Sequence, residues 1–401
     1  MRHNRLFEKK IHKDKYDSFI FDRGRRREVY LVGGYLRDLI RGIDSHDRDY
    51  IVRGNVLSFV RTIRKRTGGT IIEFKFKDTV RLALKTGHTL DFSHLEGTLE
   101  ENLSQRDFTM NALAWSPGKG VIDLYNGIND IHRRVVRSIS EKNLTDDPLR
   151  MLRAYRFSAE IDGTIDPATR RIIKQNHMMI HFSSDERITL EMFNLLNAKQ
   201  SSTHLKMALA DQLLNTILPF KFNQLSYSLK ALVTFEKTIL HLLPSYIKVL
   251  LYETFAQNLS YKGLLCLHIL LGDCFEGNSL YNVTISRKIL NRLEVVNKGI
   301  KELKRMKKFN YDKIFRIFKN SGEASIDILI VTNRLPLLKE FRRFQKIWRN
   351  GLLSAEEVMN IAGVSPGAEL GKILVSLKKA KFEGILRSRK EAVSFIKQVG
   401  Y

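Results

Sequence analysis

Cysteine is nearly absent from this chain, and long apolar runs are missing altogether. The 401 residues include two cysteines, Cys266 and Cys274, both in the stretch LLCLHILLGDC, which reads as a buried helix. Two thiols cannot build the bridged framework of a small secreted domain, and a cysteine-based zinc site needs more ligands at tighter spacing. No window approaches the roughly 18 to 20 uninterrupted apolar residues that cross a bilayer. The start, MRHNRLFEKK, carries charge where a secretory signal has its apolar core. These absences point to a soluble, cytoplasmic protein with no membrane partner. Internal repeats and low-complexity tracts are missing as well.

Positive charge is in excess. Lys and Arg number 68 against 43 Asp and Glu, for a net charge of +25. A surface this basic attracts polyanions and releases counterions when it neutralises phosphates, so nucleic acid is the expected partner; simple solubility is the plainer alternative. Hydrophobic residues at 43% and charged residues at 28% give a globular balance, and the length exceeds one ordinary core, so several domains are expected.

The pattern changes along the chain. Residues 28–34 (EVYLVGG) read as a strand ending in a Gly pair, and 35–41 (YLRDLIR) as a helix. Residues 49–52, 71–76, 79–84 and 89–92 read as further strands, with a helix over 55–66. After about residue 140 apolar residues recur every three or four positions, and the remainder is expected to be almost wholly helical. Polar breaks at AKQSSTH and FEGNS and the basic run NKGIKELKRMKKFNYDK suggest boundaries near 137, 200 and 300.

Asp47 and Asp49, in SHDRDYIV, stand two apart on an expected strand, so both carboxylates face one side. Paired carboxylates are a natural magnesium site, because hard cations take oxygen ligands. The competing reading is a polar strand end paired with Arg48 or Arg53. Upstream, Gly33 and Gly34 lie between strand and helix, where backbone N–H groups can cradle a triphosphate, although a Gly pair is equally an ordinary tight turn. Arg37, one turn into that helix, can add charge-assisted bonds to phosphate. Asp91, in TLDF, is the best-placed third carboxylate or else a strand-end turn residue. Together these residues make a phosphoryl-transfer layout.

In order and at plausible spacing, YLVGGYLRDLIRG, DRD, QRDFTMNALAW, DDPLRMLRAYRFSAEI and ERITLEM resemble the class II tRNA nucleotidyltransferase and bacterial poly(A) polymerase family over about residues 29–196. The tail AGVSPGAELGKILVSLKKAKFEGILRSRKEA looks like the C-terminal segment of bacterial members. The resemblance implies that Asp47 and Asp49 hold the catalytic metal and that Gly33, Gly34 and Arg37 form the phosphate turn. It assigns Arg106, Asp107 and Asn111 to the nucleotide and its ribose; the alternative is that Asp107 and Asn111 cap a helix. Asp147 and Arg150 match the family's base-selecting motif. Three apart on a helix, they offer an acceptor beside a fork of donors, which suits the amine and ring nitrogen of cytosine or adenine and rejects uracil and guanine, at roughly 1 to 3 kcal/mol per bidentate contact. The competing reading makes Asp147 the N-cap of a helix that starts at Pro148. Arg153 and Arg156 continue that face toward triphosphate or primer; a basic stripe merely exposed to solvent is the alternative, with Met151, Leu152 and Phe157 buried on the opposite face.

The implied fold class is α+β: a polymerase β-like nucleotidyltransferase head with a small mixed sheet (1–137), then an all-α neck with the base-selecting motif (138–200), body (201–300) and tRNA-binding tail (301–401). The implied activity is addition of C, and A in the CCA-adding members, from CTP and ATP to the tRNA 3′ end with Mg2+. Loop Lys and Arg of 297–317 and 341–349 are expected RNA contacts. Only SHLEGTLEENLS separates TLDF from QRDFTMN, a shortening similar to members that add CC alone. No phosphohydrolase His-Asp motif is present, and His177 and His268 read as core or surface residues. The arginine-rich signature of poly(A) polymerases is not evident, yet a poly(A) polymerase and a noncatalytic RNA-binding protein that kept the fold remain the alternatives.

Overall fold

The β-rich runs of the first third become one sheet. A computed structural model describes residues 2–25, 27–74, 79–218, 220–272, 283–306 and 308–399. Two helices that the sequence reading did not anticipate come first, α1 (Arg2–Lys13) and α2 (Lys15–Arg23). Asp14 separates them and caps α2, accepting from the backbone N–H groups of Tyr16 at 2.8 Å and Asp17 at 3.1 Å. Then follow β1 (Val29–Val32), α3 (Gly34–Arg41), β2 (Asp47–Val52), α4 (Val56–Thr67), β3 (Thr70–Glu73), β4 (Thr79–Ala83), β5 (Thr89–His94) and α5 (Leu99–Ser104). A 3-10 turn, Thr109–Asn111, leads into β6 (Leu113–Ser116) and β7 (Gly120–Asp123). Of the expected strand 71–76, residues 75 and 76 lie outside the described residues.

The strand order is β3-β4-β5-β2-β1-β6-β7. Because β2 runs antiparallel to β1 and parallel to β5, one rung places Val32, Asp49, Asp91 and Arg81 side by side. Alternation along β2 leaves Asp47 and Asp49 exposed and sends Arg48 and Tyr50 into the opposite, buried face. There Tyr50 stacks on Phe92 with ring centroids 4.9 Å apart, and Phe21 of α2 meets Trp115 edge-on at 5.0 Å. Fully buried aromatics of this kind each stabilise a fold by roughly 1.5 to 3 kcal/mol. Arg48 donates to both Asp14 oxygens at 2.8 and 2.7 Å and lies 3.3 Å from Asp17, which also accepts from the Tyr50 hydroxyl. Burial pushes the Asp17 carboxyl up to about 7 against the pull of Arg48.

Beyond the sheet come α6 (Gly127–Arg133), α7 (Glu141–Asp146), α8 (Leu149–Glu160), α9 (Pro167–Asn176) and α10 (Asp185–Asn197). The helical expectation after residue 140 holds, interrupted among the described residues by short strand pairs such as Thr254–Ala256 with Leu259–Ser260. The described chain divides into two compact units, one from the N terminus to Ser226 with a segment ending at Thr284, the other comprising the rest. The second unit has an aromatic core in which Phe315, Phe344 and Phe382 pack with centroids 5.4 to 6.1 Å apart. The basic residues of 297–317 and 341–349, expected in loops, lie largely on the helices Arg287–Lys304, Tyr311–Ser321 and Leu337–Arg349. Buried Ile300, Leu303, Phe315, Phe318, Phe341 and Ile347 among them supply the helical period, and the charges fall between.

Cys266 is buried in the helix Tyr261–Leu271, whereas Cys274 and the FEGNS break lie outside the described residues. His268 is buried, and His177 Nδ1 lies 2.8 Å from the Thr216 hydroxyl. Among the described residues no helix is long and apolar enough to cross a membrane.

Candidate active site

Strand β1 ends where Gly33 must turn the chain into α3. Gly33 has φ +77° and ψ −139°, a conformation open to glycine alone, and its N–H donates to the Leu113 carbonyl at 3.0 Å. A β-carbon on Gly33 would lie 2.7 Å from Arg106 Nη1 and 3.5 Å from Asp49 Oδ2. The glycine turn, the Asp49 carboxylate and the Arg106 guanidinium therefore meet at one point, next to the first turn of a helix. Asp49 is surrounded by protein although its surface is exposed. That burial raises its pKa, with Arg106 opposing and the charges of Asp91 and Asp47 adding to the rise.

Asp47 and Asp49 share a face, and neither Arg48 nor Arg53 takes them. Arg48 is held by Asp14, and Arg53 by Glu28 at 2.5 Å and the Gly97 carbonyl at 2.9 Å. Asp91 lies mid-strand beside Asp49, where Arg81 of β4 holds both its oxygens at 2.8 and 2.7 Å. The donor set at the turn is thus two open carboxylates and a third engaged by an arginine. Two oxygen donors suit a hard divalent cation that fills its other positions with water and phosphate oxygens. Consistent with so sparse a set, no group of three His, Cys, Asp or Glu side chains arranged to hold a metal occurs among the described residues.

A second cluster lies behind the turn. Asp107 is buried and accepts from the Phe108 N–H at 2.8 Å, Asn111 Nδ2 at 2.9 Å and Arg153 at 3.0 and 2.7 Å. Burial alone would raise its pKa; Arg153 and these donors outweigh it and hold the carboxyl low. The 3-10 turn that follows receives no side-chain cap from Asp107. Asn111 Oδ1 accepts from Arg37 Nη1 at 2.7 Å, while Arg37 grips Asp38 at 3.0 and 3.1 Å. Arg153 and Arg156 both reach Glu191, at 3.4 and 2.5 Å. The guanidiniums of Arg37, Arg153 and Arg156 lie over the Phe157 ring at 5.0, 5.1 and 3.8 Å. Phe157, expected on the face opposite the arginines, is instead the platform beneath them, because Arg37 of α3 reaches its ring together with Arg153 and Arg156 of α8.

Asp147 ends α7 and does not cap α8, whose start has no side-chain cap. Its carboxylate accepts from Arg187 at 2.9 Å and lies 3.8 Å from Arg150 Nε. Arg150 Nη1 donates to the carbonyls of Gln105 at 2.9 Å and Asn143 at 3.1 Å. Asn143 in turn donates to the carbonyls of Ser104 at 2.6 Å and Arg106 at 2.7 Å. Residues 104–111 are therefore the hub that positions both clusters. The sequence reading missed Arg187, Glu191 and Asn143 as site residues; Arg187 and Glu191, four apart in ERITLEM, share a helix face, which was the available signal.

Residues 29–137 match the poly A polymerase head domain, and residues 163–224 match the probable RNA and SrmB-binding site of polymerase A. A CC-adding tRNA nucleotidyltransferase from Synechocystis is 25% identical over 93% of this chain and 94% of its own length. A CCA-adding enzyme from Geobacillus stearothermophilus is 35% identical over 48% of this chain and 51% of its own. The structure of the Thermotoga maritima CCA-adding enzyme complexed with tRNA superposes with a TM-score of 0.76 over 95% of this chain and 94% of that one, at 22% identity, a likeness of fold. The family works with divalent metal ions. Over residues 29–137 the chain is similar to poly A polymerase head domains, and it is a nucleotidyltransferase.

Proposed function

We propose that this protein extends the 3′ end of tRNA in the cytoplasm, adding C from CTP and, if the product is CCA, A from ATP, without a nucleic-acid template. The observation that carries the reading is the meeting of Gly33, Asp49 and Arg106 at the mouth of α3. Asp47 and Asp49 would hold Mg2+, which when bound neutralises triphosphate charge and lowers the pKa of the attacking hydroxyl. The turn at Gly33–Gly34 leaves room for the triphosphate, and Arg106 faces it with charge. The tRNA 3′ hydroxyl gives up its proton to solvent as its oxygen attacks the α-phosphorus, the bond from that phosphorus to the bridging oxygen breaks, and pyrophosphate leaves. Asp147 and Arg150 would read the base edge, Asp147 accepting from the amine and Arg150 donating to the ring nitrogen. Asp107 and Asn111 would hold the ribose side, and Asp91 would set the charge beside Asp49.

In this reading residues 1–137 are the catalytic head, 138–200 the neck, 201–300 the body and 301–401 the RNA-gripping tail. CC is the favoured product, because the connection from β5 to Arg106 holds only the short helix α5, similar to members that add CC alone. Incubating the protein with tRNA lacking its 3′ CCA and each triphosphate in turn, then sequencing the ends, tests this. C addition to tRNA is expected, and long A tracts on generic RNA would replace the reading with a poly(A) polymerase. Asp49→Ala should abolish addition while leaving tRNA affinity near wild type; undiminished addition would remove the catalytic assignment.

A further inference from the structure

Strands β2 and β5 start side by side, and each is preceded by a histidine. His46 precedes Asp47 and His88 precedes Thr89, and Asp47 pairs with Thr89 in the parallel register. The Thr89 N–H donates to the His46 carbonyl at 3.0 Å, so the pairing continues one step below the strands. His46 Nδ1 and His88 Nε2 lie 3.2 Å apart, with ring planes at 81°. Two nitrogen ligands at about 2.0 to 2.1 Å from a tetrahedral zinc ion stand roughly 3.3 to 3.4 Å from each other. The pair is therefore already spaced as two metal ligands, on a backbone fixed by sheet register.

A metal-bound histidine needs its other ring nitrogen held by a partner, which fixes tautomer and ring orientation. His88 Nδ1 has one: the Thr86 hydroxyl at 3.1 Å, itself 3.2 Å from the Tyr16 hydroxyl. With His88 Nδ1–H donating to Thr86 and Thr86 donating to Tyr16, the Nε2 lone pair faces His46. The Tyr16 ring covers the site from α2, with centroids 5.6 Å from His88. That places the pair on the Arg48 side of β2, away from the face that carries Asp47 and Asp49.

We propose that His46 and His88 form a second divalent-metal site, separate from the carboxylate pair, for a nitrogen-preferring ion such as Zn2+ or Ni2+, with water in the remaining positions. Magnesium, which prefers oxygen donors, would not compete there. The rival state is a plain hydrogen bond between the two rings.

The test is calorimetric titration of the full chain with ZnCl2 and with NiCl2 in excess Mg2+, against a His46→Ala/His88→Ala double variant that subtracts binding by other histidines. Circular dichroism verifies that each variant is folded. The wild type should bind one more ion per chain than the double variant, with micromolar affinity, and each single variant should lose at least about tenfold. Thr86→Val, which keeps both ligands, should weaken binding roughly 10-fold or more. Asp49→Ala should bind the extra ion like wild type, which separates this site from the catalytic reading. Equal stoichiometry in wild type and double variant would leave only a hydrogen-bonded pair and overturn the proposal.

Discussion

Replacing Gly33 by alanine perturbs the candidate site at its narrowest point. At φ +77° and ψ −139° an L-residue is strained, at a cost of about 1 to 3 kcal/mol. The new methyl would also stand 2.7 Å from Arg106 Nη1, inside contact distance, so the guanidinium must withdraw by several tenths of an ångström. Asp49 Oδ2, at 3.5 Å, is in ordinary contact and can stay. Displacing a charge that faces the reacting phosphate by up to 1 Å can lower turnover on the order of 100-fold. Gly33→Ala should therefore lose about 1 to 3 kcal/mol of stability by urea unfolding and a much larger share of its CTP incorporation than that loss explains. Gly34→Ala is the control. Gly34 has no positive φ, its β-carbon would approach Arg37 Nη2 at 3.4 Å, and alanine is the better helix former there. Its stability should stay within about 1 kcal/mol of wild type, and its loss of CTP incorporation should be well below that of Gly33→Ala. Equal damage in the two variants, or wild-type incorporation by Gly33→Ala, would refute the cradle.

Arg150→Ala should relax base choice. Its side chain is 24% exposed, so the lower part of the bidentate range, about 1 to 2 kcal/mol, applies, and the preference for CTP over UTP should fall roughly 5- to 30-fold; an unchanged ratio would demote the residue to bracing the Gln105 and Asn143 carbonyls. Asp17 sets a pH dependence. Its folded pKa of about 7 lies above the ordinary 3.8, so the native state binds the proton more tightly, and stability is greatest below the ordinary value and falls as pH rises through 7. Asp17→Asn should flatten that slope in urea titrations between pH 4 and about 8, and an unaltered slope would sink the assignment. Arg106→Ala should raise KM for CTP while Arg37→Ala chiefly lowers the urea midpoint; the reverse pattern in steady-state kinetics and unfolding would exchange the roles of the two arginines.

The legible parts of the site were the local ones. Strand, glycine turn and helix at 29–41, and the two-residue spacing of Asp47 and Asp49, are short-range patterns that the backbone honours directly. Arg81 facing Asp91 depends on which strands pair and in which register, and no local period carries that. Strand β6 went unread because Leu113–Ser116 is buried throughout, leaving no alternation to detect. Helices α1 and α2 did carry a signal, since Phe7, Ile11, Tyr16 and Ile20 are all buried, but the many charges between them masked it.

The arginines of the site differ in what they still have to give. Arg37 is nearly enclosed and spends its donors on Asp38 and Asn111. Arg153 and Arg156 are matched by the buried carboxylates Asp107 and Glu191, and Arg156 also by Glu160 at 2.6 Å. Three guanidiniums around one ring would repel one another; those acids, with Asp38, make the cluster close to neutral, so it acts as a rigid wall rather than an anion trap. Arg106 is the exception. Its Nε is buried with no hydrogen-bond partner, its Nη1 reaches the Asn111 carbonyl only at 3.5 Å, and burial depresses its pKa against the pull of Asp49 and Asp107. A half-buried cation whose Nε is enclosed without a partner is costly to maintain unless an anion arrives to satisfy it. In the proposed reaction the distribution of partners favours Arg106 for the phosphate contact that the resemblance implies for Arg37, while Arg37 Nη1 donates to Asn111 behind it.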